Sequence, residues 1–185
     1  MIDDNDLWIL SYYRISEISG ALFFGRLARS LKPGPIQHDM TKHFSDEALH
    51  AWYWTDCIER LGGKPRKLLE AYQDQYLSSA GMPANLMEVL ALTQVFERRV
   101  INQYARHSQV PNLPVEILET LQKIMVDERW HIQWIGDALR DLVPEFGKET
   151  VEQTMKRYWQ ADQEVYEKTL QEHEDRIAHL IQKRS

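Results

Sequence analysis

One cysteine among 185 residues, Cys57, removes two classes of protein at once. A disulfide framework needs pairs, and so does a Cys-x-x-Cys metal or redox site. Positive charge is also in short supply. The 22 Lys and Arg stand against 28 Asp and Glu, a net charge of -6 with no basic run, which argues against a nucleic-acid partner or an anionic membrane surface. No stretch approaches the roughly 18 apolar residues of a membrane span. The amino terminus, Met1-Ile2-Asp3-Asp4-Asn5-Asp6, lacks the basic start and apolar run of a signal peptide, so a cytoplasmic protein is expected. Alternating strand patterns are missing as well, and the length suits one domain with a full core.

What remains is helix. The first pattern begins near Asp4 or Asp6, both suitable caps, and runs to about Leu31. Lys32-Pro33-Gly34-Pro35 breaks it, a second helix starts at Pro35, and Gly62-Gly63-Lys64-Pro65 ends that one. Residues 66 to 84 read as a long crossover, with a short helix over Arg66 to Leu77. A third helix begins near Pro83 and ends near His107; a fourth starts at Pro114 and runs to about residue 141. After Pro144 and Gly147, one fifth helix is expected from about Glu149 to Gln182. Val151, Met155, Trp159, Val165, Tyr166, Leu170, Ile177 and Ile181 lie on one face of it, a stripe that must be covered by the bundle or by a second subunit. The expectation is a single all-α domain over 1–185, with a four-helix bundle at about 4–141, one long crossover, an additional C-terminal helix at about 149–182, and a homodimer.

Two segments repeat one pattern: Asp46-Glu47-Ala48-Leu49-His50 and Asp127-Glu128-Arg129-Trp130-His131. On an α-helix a carboxylate at i and an imidazole at i+3 project to the same side. Each pair is preceded by one upstream glutamate, Glu17 or Glu97, and all six residues occupy slots that the 3.6-residue period reserves for the core. In the first helix the stripe reads Leu10, Tyr13, Glu17, Phe24; in the second, Met40, His43, Glu47, His50, Trp54, Cys57; in the third, Leu90, Thr93, Glu97, Tyr104; in the fourth, Leu121, Ile124, Glu128, His131, Ile135. Four buried carboxylates would each cost several kcal/mol if left unpaired, and no Arg or Lys lies on these stripes. Two divalent cations would balance them. Glu17 and Glu47 are 30 residues apart, and Glu97 and Glu128 are 31, so the chain reads as two hairpins of one design. At 1.5 Å per residue, both glutamates of a hairpin lie at about the same height, roughly 15 to 21 Å from the turn.

One inward Glu from each of two helices, with a Glu-x-x-His from each of the other two, resembles the ferritin-like di-iron carboxylate family, which includes bacterioferritin, rubrerythrin and the di-iron oxygenases. The resemblance covers about residues 7 to 141. It implies a ferritin-like bundle in which Glu17, Glu47, His50, Glu97, Glu128 and His131 hold two Fe ions, with Mn or a mixed Mn/Fe pair as the alternative and Glu47 and Glu128 as bridges. Asp46 and Asp127 resemble the aspartates that orient the ligand histidines in di-iron oxygenases. Leu49 and Trp130 stand where those oxygenases usually carry arginine. The implied activity is that of a non-haem di-iron oxidoreductase. It would activate O2 or peroxide and oxidise a small organic substrate, with a separate reductase as electron donor because Cys57 is alone. The alternative is a ferroxidase and iron-storage subunit, or a rubrerythrin-like peroxidase. His43 is expected to be a hydrogen-bonded histidine at the rim. Thr93 either fills a gap or faces oxygen, and Tyr13, Tyr104, Trp54 and Trp134 are core. His38, His107 and His179 are expected in solvent, with Asp162 and His173 on the apolar side of the fifth helix but not ligands.

Overall fold

Asp3 starts the first helix by accepting a hydrogen bond from the Asn5 backbone N–H, 2.8 Å away, which satisfies a donor that a helix start leaves open. The computed structural model describes residues 2–68, 79–169 and 171–185. Among these, α1 spans Asp4–Ser30 and α2 spans Pro35–Arg60, with Pro35 in the first turn, where its missing N–H costs nothing. The next helix, α3 (Leu86–His107), is capped by Asn85, whose side chain accepts from Glu88 N at 2.9 Å; the Glu88 carboxylate reaches back to Ala84 N at 3.0 Å. Then come α4 (Val115–Phe146), α5 (Lys148–Thr169) and α6 (Gln171–Arg184).

The strongest packing is α1 on α2, followed by α3 on α4, and α2 meets α4 to join the two hairpins. This is a four-helix bundle of ferritin-like type with extra C-terminal helices. Its core runs along the bundle through Ile9, Leu10, Trp54, Ile58, Leu90, Tyr104, Leu121, Ile124 and Ile135, all essentially inaccessible. Among the described residues, no helix is long and apolar enough to cross a membrane.

Some of these expectations need correction. The fourth helix continues past residue 141 to Phe146 with Pro144 in its last turn, where a proline sacrifices little hydrogen bonding. The C-terminal region, expected as one helix from about 149 to 182, is described as two helical segments, and they cover different faces. α5 lies on α3 and α4, whereas α6 lies on α1. The buried positions also shift. Val151, Tyr158, Ala161, Val165, Ile177 and Leu180 are buried, while Ile181 sits at the surface. The short helix expected over Arg66 to Leu77 lies largely outside the described residues, and its described part, up to Leu68, is not helical.

Candidate metal centre

Six side chains on four helices converge at mid-bundle. Glu17 comes from α1, Glu47 and His50 from α2, Glu97 from α3, and Glu128 and His131 from α4, and every one is at least nine-tenths buried. They form two quartets whose ligand-type atoms lie within 4.8 Å of one another: Glu17, Glu47, His50 and Glu128 in one, His43, Glu47, Glu97 and His131 in the other. Glu47 belongs to both. Glu128 also reaches both, with Oε1 3.3 Å from His50 Nδ1 and Oε2 3.5 Å from His131 Nδ1.

The two imidazoles are turned by a second set of carboxylates. His50 Nε2 lies 3.2 Å from Asp127, and His131 Nε2 lies 3.2 Å from Asp46. The pairs are crossed, since each aspartate orients the histidine of the opposite hairpin. With Nε2–H donated outward, Nδ1 of each ring faces the central carboxylates. Asp46 is itself held by Lys42, whose ammonium lies 3.8 Å from the centroid of the Trp130 ring. Glu17 is fixed from the other side by the Tyr104 hydroxyl, which donates to Oε1 and accepts from Trp54 Nε1 at 3.3 Å.

Gly20 explains how Glu47 fits. A Cβ at this position would sit 2.2 Å from Glu47 Oε2, so only a glycine on α1 leaves room for that carboxylate.

His43 is not at the rim. It is fully buried, stacks on His131 with ring centroids 3.6 Å apart, and places Nε2 3.2 Å from Glu97 Oε1 and 3.4 Å from Glu47 Oε1. Trp134 Nε1 donates to His43 Nδ1 at 3.3 Å. An indole N–H can only donate, so in the neutral ring Nδ1 is the acceptor and Nε2 carries the proton. His43 therefore faces Glu47 and Glu97 as a donor, the reverse of His50 and His131.

The electrostatics follow from burying like charges together. Burial, reinforced by Glu17, Glu97 and Glu128, pushes the Glu47 carboxyl well above the usual range. For His50 and His131 burial opposes protonation, but hydrogen bonds to Asp127, Asp46 and the central carboxylates outweigh it and raise both imidazoles well above their ordinary value. Burial, with His131 alongside, lowers His43 and keeps it neutral.

The residues fit a pair of cations. His50 Nδ1, His131 Nδ1 and both oxygens of Glu128 are buried with no hydrogen-bond partner. Atoms of this kind rarely stay unpaired in a folded core. Here they face one another across a space ringed by carboxylates, and oxygen and imidazole donors suit Fe and Mn.

Beside the centre lies a cavity of about 30 Å³ lined from α1 and α3 by Tyr12, Ser16, Gly20, Phe23, Phe96 and Val100, with Glu17, Glu47, Glu97 and Glu128 at its inner end. Thr93 does not line it; its hydroxyl donates to Val89 O at 2.9 Å within its own helix.

Of the other histidines, His38 and His179 are exposed as expected, whereas His107 is completely buried. Asp162 and His173 are buried outside both quartets, Asp162 against Arg99 and His173 against the Tyr13 hydroxyl at 2.9 Å. Sequence periodicity carried no signal for the grip of Tyr104 on Glu17 or of Trp134 on His43. For Gly20, its place on the Glu17 stripe was a usable hint.

The chain matches no protein-family model, no curated protein and no solved structure. The fold and the site stand on their own geometry. The chain has a ferritin-like all-α fold with two His/Glu clusters resembling a di-metal carboxylate site.

Proposed function

We propose that this protein is a non-haem di-metal oxidoreductase that activates O2 or peroxide, with Glu17, Glu47, His50, Glu97, Glu128 and His131 as ligands of two Fe ions, or of Mn or a mixed pair. The observation that carries this reading is the convergence of two quartets on shared Glu47, with partnerless imidazole nitrogens and Glu128 oxygens facing each other. Two bound redox-active ions, each changing charge by one, supply the two electrons needed to cleave an O–O bond.

The chain's own part is positioning. Asp127 and Asp46 hold His50 and His131 through Nε2–H, so that each ring, on losing its Nδ1 proton, presents that nitrogen to the centre without turning. Tyr104 keeps its proton, because burial and the neighbouring Glu17 and Glu128 raise its hydroxyl well above the ordinary range, and it holds Glu17 in place. His43 offers an N–H to Glu47 and Glu97. Phe23, Phe24 and Phe96 line the approach and keep bulk water from the inner carboxylates.

The size of the cavity bears on the substrate. A volume of about 30 Å³ accepts O2 or hydrogen peroxide, since one water needs roughly 10 to 15 Å³ on this measure. A small organic substrate, the reading first suggested by the paired Asp-Glu-x-x-His motifs, would have to displace Phe23 or Phe96. The size supports the alternative, a rubrerythrin-like peroxidase or a ferroxidase, in which reducing equivalents arrive as electrons from an external donor or as Fe(II).

The test is oxidant selection. Fe(II)-loaded protein should be oxidised rapidly by hydrogen peroxide or O2 and at least tenfold more slowly by cumene hydroperoxide, whose aromatic body exceeds the cavity. Equal rates would restore the organic-substrate reading, and no reaction with any oxidant would remove the oxidoreductase.

A further inference from the structure

Between α3, α4 and α5 lies a second cavity, of about 340 Å³, which shares no residue with the metal centre. Its size falls at the lower end of the range for small-molecule sites. Leu139, Val143, Val151 and Met155 form an apolar floor; at the edge Arg140 pairs with Asp137 and Lys148 with Glu152, which leaves the Arg98 charge over. On a chain of net charge -6, that is a local excess of positive charge.

Folding alone leaves two features of this cavity unexplained. Gln94 is 3% exposed and lines the cavity, yet its Oε1 has no hydrogen-bond partner, an arrangement that native cores avoid. Gly136 sits in the interior of α4, where glycine is the poorest helix former after proline. Packing does not require it. A Cβ there would meet only Arg140 Nη1 at 3.7 Å and Gln94 Oε1 at 4.0 Å, both ordinary contacts. A side chain at 136 would instead occupy the mouth of the cavity, and an unpaired acceptor sits at the same place.

We infer that this cavity binds a hydroxylated medium-chain carboxylate. Each part of the ligand answers one part of the site: the hydrocarbon chain lies on Leu139, Val143, Val151 and Met155, the carboxylate meets Arg98 at the edge, and the hydroxyl donates to Gln94 Oε1. The apolar area supplies most of the affinity, while the charges and the amide set the choice among amphiphiles.

Calorimetric titration of the purified full chain with 3-hydroxydecanoate, decanoate and the uncharged 1,3-decanediol tests this. Saturable binding of 3-hydroxydecanoate, one per chain, is expected. Decanoate should bind several-fold more weakly and the diol at least tenfold more weakly. Gly136→Leu should abolish binding by filling the site while leaving metal content and molecular mass unchanged. Arg98→Glu, an exposed change that leaves packing alone, should weaken both acids at least tenfold, and Gln94→Leu should make the two acids equal. Absence of saturable binding, undiminished binding in Gly136→Leu and Arg98→Glu, or a diol that binds as well as the acid would overturn the proposal. Equal affinity of the two acids for the unaltered chain would overturn the ligand class, and a smaller oligomer in Gly136→Leu would show the cavity to be a subunit contact instead.

Discussion

Glu47 is the residue on which both quartets depend, and its carboxylate is placed by an absence, the missing side chain of Gly20. Gly20→Ala should therefore separate folding from metal binding. Alanine favours the helix by about 1 kcal/mol, and the atom it strikes is the end of a flexible side chain, so the metal-free protein should melt at the same temperature or higher. The displaced carboxylate should lower metal affinity at least about tenfold in a direct titration; unchanged affinity would show that Glu47 is not where the geometry puts it. His43 provides a second contrast. Because its Nδ1 accepts from Trp134, it bonds to carboxylates and not to a metal, so His43→Gln should retain about two ions per chain while His131→Ala loses at least one. Loss of an ion in His43→Gln would make this histidine a seventh ligand. At this scale the sequence was readable for the six inward residues, because a period of 3.6 fixes the face and the 30- and 31-residue spacings fix the height. It did not reveal which neighbour each polar atom meets. Asp46 and Asp127 stand beside Glu47 and Glu128 in the chain, yet each serves the histidine of the other hairpin.

At the scale of helices, the starts of α1 to α4 were legible to within a few residues: Pro35 and Pro114 mark α2 and α4, while the caps of α1 and α3 are Asp3 and Asn85 and not Asp4, Asp6 or Pro83. The ends were less so. Pro144 looked like a stop and is not one, since a proline in the last turn removes one backbone donor and leaves the preceding turns intact. In the C-terminal region the stripe extrapolated along one straight helix drifts over its length, since α5 packs on α3 and α4 and α6 packs on α1. Ile177 and Leu180 are the buried positions of α6, not Ile181. His107 was expected in solvent because its own helix ends there, and no local pattern announces that α6, some 70 residues later, will cover it. Of the two ways to cover the C-terminal stripe, the structure uses the bundle itself, with α5 on α3 and α4 and α6 on α1. Removing both helices after Gly147 would uncover those faces. The truncated chain should keep all six inward residues but lose at least about 10 °C in melting temperature or become insoluble. An equally stable, equally soluble product would show that α5 and α6 contribute nothing to the bundle.

Across the whole molecule, protons and metal compete for one buried centre. In the metal-free chain the His50 and His131 imidazoles titrate well above the ordinary value, so their hydrogen-bonded, charged forms stabilise the fold fully below the unfolded value of about 6.5, and that contribution is lost as pH rises through their folded values. A metal requires the neutral rings. Binding at pH 7 should release protons from these rings and from the buried Glu47 carboxyl, and metal affinity should rise with pH. A titration in weak buffer measures this directly, and binding without proton release would contradict the charge states drawn from the geometry. His107 acts in the opposite direction. Burial, with His173 and Arg184 nearby, lowers it to about 3, so its contribution is complete above about 6.5 and is lost as pH falls towards 3. The acid limb of stability thus reports on the bundle end beneath α6, and the proton release reports on the centre. The most direct test of the centre itself is an anaerobic Fe(II) titration of the folded chain with bound metal counted per polypeptide, carried out in parallel on Glu128→Ala. Saturation at about two ions, falling to one or none when the carboxylate that spans both imidazoles is removed, is the predicted result; a well-folded chain that binds one ion or none, or a Glu128→Ala variant that still binds two, would contradict it.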